Sequence, residues 1–72
     1  MLALCPLMAS LEGIVLAQRH VDSGRAIIKR QNDLIARLSE QQLSTVTAIN
    51  LLGSFERTQA IFEDDLAALL KL

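Results

Sequence analysis

The sequence predicts an all-α fold: an antiparallel two-helix hairpin that dimerises into a four-helix bundle. Three observations carry this. Apolar residues recur at heptad-like spacing in two long blocks. Period-two alternation, the mark of a half-buried strand, is absent. Finally, 51% of the 72 residues are hydrophobic, more than two helices can cover by themselves, and below roughly 70–80 residues a lone core rarely gives more than about 3–5 kcal/mol. A second copy is the remedy that this composition leaves.

The chain reads as one domain in three parts. Residues 1–9 are an apolar arm. Residues 10–42 are a long amphipathic helix, with Leu7, Ile14, Val21, Ile28, Ile35 and Gln42 along one line and Ser10, Ala17, Gly24, Gln31 and Leu38 between them. Ile27 and Leu34 widen that stripe, while Glu12, Arg19, Asp33 and Glu40 lie opposite. Residues 43–72 are a turn and a second helix, whose core series is Ala48, Leu52, Phe55, Gln59, Phe62, Leu66 and Leu69. No Gly or Pro marks the break; a phase change in the stripe and the hydroxyls of Ser44 and Thr45 do. A turn near Leu43 makes facing residue numbers sum to about 87. Gly24 then falls opposite Phe62, and residues before Ile14 overhang.

Composition excludes several classes. Seven Lys+Arg against eight Asp+Glu give a net charge of −1, which does not suit a phosphate-binding surface. Without Trp or Tyr, base stacking is poorly served as well. One Cys and one His make neither a disulfide framework nor the usual zinc ligand set, so no metal or cofactor is expected. The apolar run at residues 1–17 lacks a preceding Lys or Arg. It is broken by Pro6, Ser10, Glu12 and Gly13 and is shorter than the roughly 20 residues that a span needs. A chain that neither enters a membrane nor binds nucleic acid is expected, in the cytoplasm, with Cys5 a small apolar residue of the arm.

The expected oligomer interface comprises Leu4, Leu7, Leu11, Ile14, Val21, Ile27, Leu34, Phe55, Phe62, Leu66 and Leu69. Gln31 and Gln59 hold seam positions, where buried amides fix register, by bonding each other or across a dimer axis, or else reach water. Glu63-Asp64-Asp65 cannot converge on one ion, because successive helical residues point about 100° apart. They form a solvated face and hint at a basic partner. Residues 10–42 carry five bases and four acids, and residues 43–72 two bases and four acids, a mild complementarity suited to helix pairing.

His20 is the alternative site. A histidine on one helix of a dimerising hairpin resembles the phosphoacceptor of histidine kinase dimerisation domains and of phosphotransfer bundles. Gly24 matches the phosphotransfer pattern at the fourth place after the histidine. Ser23 departs from it at the third, and Val21 stands where kinases carry an acid. The resemblance implies an exposed imidazole acting as nucleophile beside an acid or base.

A wider resemblance covers a little over half of the chain. His20-Val21 with Gly24, then Gln31, Leu34-Ile35, Leu51-Leu52, Phe55-Glu56 and Thr58-Gln59, is similar to a group of small uncharacterised bacterial helical-hairpin proteins. Gln42-Leu43-Ser44 departs from the group at the turn, where a glycine and an aspartate N-cap are typical. The group implies a hairpin and no particular activity. The expected function is thus a non-catalytic, homo-oligomeric interaction or regulatory module. It would bind itself as a homodimer and perhaps another protein. The alternative is a histidine phosphoacceptor using His20.

Overall fold

Two long helices lie side by side and antiparallel in the computed structural model, which describes the chain path of residues 6–71 and the side chains of residues 11–71. Helix α1 runs Pro6–Glu40 and helix α2 runs Val46–Leu70, with no strand among the described residues. The pair is a slab of 57 × 21 × 14 Å. Its long dimension is set by α1, whose 35 residues rise about 1.5 Å each.

Helix α1 starts at Pro6, so residues 6–9, expected in a non-helical arm, belong to its first turn. Pro6 is well placed there: φ is already helical, and the missing N–H would have had no intrahelical partner. Leu4 lies outside the described residues, as does the side chain of Leu7.

The turn is built from hydrogen bonds rather than from glycine. Leu43 N–H donates to Leu38 O at 2.9 Å and Gln42 N–H to Ser39 O at 3.0 Å, the paired bonds of a Schellman closure. That closure needs a left-handed residue, and Gln42 supplies it at φ 59°. Glutamine pays a steric cost there that glycine would avoid. Beyond it, α2 starts without a side-chain cap from Thr45. Ser44 Oγ accepts a long 3.4 Å bond from Val46 N–H, and Ile49 N–H donates to Thr45 O at 2.8 Å.

The register differs from the expected one by about a helical turn. Gln31 reaches Ala48, His20 stacks on Phe62, and Gly24 abuts Gln59, so facing numbers sum to 79–83 rather than 87. The Schellman closure folds residues 43–45 back alongside the last turn of α1, and α2 starts beside that turn instead of beyond it. Leu69 consequently packs over Gly13, and the overhang of α1 is shorter than the sequence suggests.

Little apolar surface is sealed between the two helices. The buried apolar residues are Ala17, Val21 and Ala48, with Gln31 and Gln59 buried among them. Half-buried Ile14, Ile27, Ile28, Ile35 and Leu38 line the α1 side; Leu52, Phe55, Phe62, Leu66 and Leu69 line the other. Small residues at the centre let the helices approach closely, and larger ones spread to the flanks.

Candidate interaction surface

The two buried glutamines make reciprocal clasps. Gln31 Nε2, on α1, donates to the backbone oxygen of Ala48 on α2 at 2.9 Å. Gln59 Nε2, on α2, donates to the backbone oxygen of Val21 on α1, also at 2.9 Å. They bond neither each other nor water, unlike the expectations from sequence. Gln59 Nε2 also meets Glu63 Oε2 at 3.3 Å, which gives one of the three acids a structural task. With two acceptors on that side, the amide nitrogen must point there. Gln59 Oε1 is then pressed against Gly24, buried, and accepts no bond among the described residues. A Cβ on Gly24 would collide with it. Gly24 therefore clears room for an amide, not for Phe62.

Outside the seam, large apolar side chains face away from the partner helix. Leu11, Val15 and Leu16 form a strip on α1, bordered by Glu12 and Arg19, and Leu11 is 58% exposed. Leu34, Leu43, Val46 and Ile49 are exposed toward the turn, and Leu51, Ile61 and Leu70 along α2. Among the expected interface residues, Leu11 and Leu34 are exposed, while Ile14, Ile27, Phe55, Phe62, Leu66 and Leu69 are half-buried at the flanks. Val21 is a correction: at 1% exposure it is consumed inside the hairpin and has no surface left for another chain. Val15, Leu16, Val46 and Ile61 were missed because they lie beside the heptad lines rather than on them.

His20 stands at the edge of the seam, exposed, its ring stacked on Phe62 with centroids 4.9 Å apart. Asp65 borders the same shallow hollow, together with Gly13, Ala17 and Leu69. Asp64 and Asp65 are exposed. Mild charge complementarity does not become interhelix ion pairs among the described residues. The two pairs found, Arg25–Asp22 at 3.9 Å and Lys29–Asp33 at 3.5 Å, lie within α1 and are solvent-exposed, where such contacts contribute little. No group of three or more His, Cys, Asp or Glu side chains among the described residues is placed to hold a metal ion. No helix among them is long and apolar enough to cross a membrane.

No protein-family model matches the chain, and neither a curated protein nor a solved structure is detectably similar to it.

Proposed function

We propose that this chain is a non-catalytic helical module that associates with a second copy of itself, giving four helices in cross-section, and that the assembled surface is what any other protein would meet. One observation carries the reading. The hairpin seals only Ala17, Val21 and Ala48 as apolar core while leaving Leu11, Val15, Leu16, Val46, Ile49 and Ile61 at least half exposed. Apolar surface is worth about 25 cal/mol per Å² when removed from water, so covering these side chains outweighs what the hairpin gains alone. The buried polar side chains support a structural role: the amide nitrogens of Gln31 and Gln59 are committed to backbone carbonyls. Single-cysteine usage suits a reducing compartment, and we place the module in the cytoplasm.

The test is the double variant Leu11→Glu/Val15→Glu. Both sites are exposed in the hairpin, and Glu favours helix, so folding is retained. The expected outcome is full helical circular dichroism with association weakened at least about tenfold, since each tenfold needs only about 1.4 kcal/mol. Unchanged association would remove this strip from the interface.

A second reading has a specific observation behind it. His20 is exposed and Asp65 borders its hollow, which is what a phosphoacceptor imidazole requires. Incubation with an acyl phosphate, followed by intact mass measurement, decides it: a gain of one phosphoryl group that His20→Gln abolishes supports the reading, and no gain ends it.

A further inference from the structure

We infer that the hairpin opens at its turn and exchanges α2 with a second copy, each chain then forming one continuous helix through residues 41–45 in an antiparallel pair. This rests on the reading of the chain as self-associating and names how the copies join.

The first observation is phase. Every seventh residue from Ala17 onward, namely Ala17, Gly24, Gln31, Leu38, Thr45, Leu52, Gln59 and Leu66, is buried or half-buried. This line crosses the turn without losing step, and Thr45 lies on it inside the turn itself. A hairpin needs no such continuity, because its loop lets α2 start at any rotation. A single helix does need it. Only the flank of the stripe changes sides, from Ile28 and Ile35 on α1 to Ala48 and Phe55 on α2.

The second observation is self-complementarity. Gly24 faces Gln59. Continued through the turn, that register sets Ala17 against Leu66, Gln31 against Leu52 and Leu38 against Thr45. An antiparallel pair of whole chains keeps the same facings about a two-fold axis between residues 41 and 42. The clasps Gln31–Ala48 and Gln59–Val21 are then each made twice, between chains instead of within one. Residues on such an axis meet their own copies, and Gln41 and Gln42 are uncharged, so nothing repels there.

The third observation is the turn. Gln42 is held at φ 59°, Thr45 provides no side-chain cap, and Gln41–Thr45 contains neither Gly nor Pro. Straightening frees Gln42 from the left-handed region and removes the need for caps, and Gln and Leu are sound helix formers.

The test uses spin labels on Ser23→Cys and Ala60→Cys in a Cys5→Ser background. Both sites are exposed and face each other across the helices. Doubly labelled chain is unfolded and refolded with an excess of unlabelled Cys5→Ser chain, and the oligomer is isolated for pulsed electron paramagnetic resonance. Exchange replaces the short distance of the hairpin by one of about 55 Å, the rise of the intervening continuous helix. Gln42→Gly restores the short distance and raises the dissociation constant of the exchanged form about a hundredfold, roughly tenfold for each hinge. An oligomer that keeps the short distance at full amplitude overturns exchange while self-association stands. A chain that is monomeric at every concentration overturns both.

Discussion

Gly24 and Gly13 both sit inside α1, and the structure gives them opposite roles. At Gly13 a Cβ would lie 3.7 Å from Leu69 Cδ1, an ordinary contact. Gly13→Ala should therefore gain most of the helix propensity difference and stabilise by about 0.5–1 kcal/mol. At Gly24 the new methyl would displace the amide of Gln59 from Val21 O. A buried amide left unbonded costs about 1–3 kcal/mol, which exceeds the propensity gain, so Gly24→Ala should destabilise by about 1 kcal/mol net. Thermal unfolding of the two variants side by side checks the sign of each. The sequence already implies a packing reason for Gly24, but names Phe62 as the partner. The error is one of register, because side-chain periodicity says which face is inward and nothing about how far the turn slides one helix along the other.

At the scale of the elements, the two helices were legible and their junction was not. The amphipathic stripes locate α1 and α2 to within a few residues. The turn has no Gly or Pro to announce it, since its left-handed position is filled by Gln42. Gln42→Gly should remove that steric cost and stabilise the hairpin by about 1 kcal/mol, read by chemical denaturation at a concentration low enough to keep the chain monomeric. The glutamine clasps belong to this scale as well. Seam positions for Gln31 and Gln59 are visible in the heptads, but their partners are backbone carbonyls, which no side-chain pattern encodes. Replacing both by Leu removes two desolvated amides and two bonds together. Overall stability should hold within about 1 kcal/mol, while register loosens, as expected when buried polar groups serve specificity. Doubled backbone amide resonances in the Gln31→Leu/Gln59→Leu variant would show the loosening; a single sharp set would deny the clasps that role.

The whole molecule is defined by what two helices cannot cover. An excess of apolar residues was evident from composition, yet its location was only half evident. Leu11 and Leu34 are exposed as expected of an interface, whereas Val21 is spent inside the chain, and Val15, Val46 and Ile61 add surface that the heptad lines pass by. Small residues at the seam explain the trade: Ala17, Gly24 and Ala48 draw the helices together and leave the bulk on the outside. His20, stacked on Phe62 at the rim, neither joins this apolar surface nor is sealed away from solvent. Self-association is thus the claim on which the functional reading depends. Sedimentation equilibrium of the unmodified chain, at concentrations spanning the micromolar range, tests it most directly. The account requires a mass at least twice the 7.9 kDa of one chain, falling toward that value only on dilution. A fully helical species of single-chain mass at every concentration would contradict it.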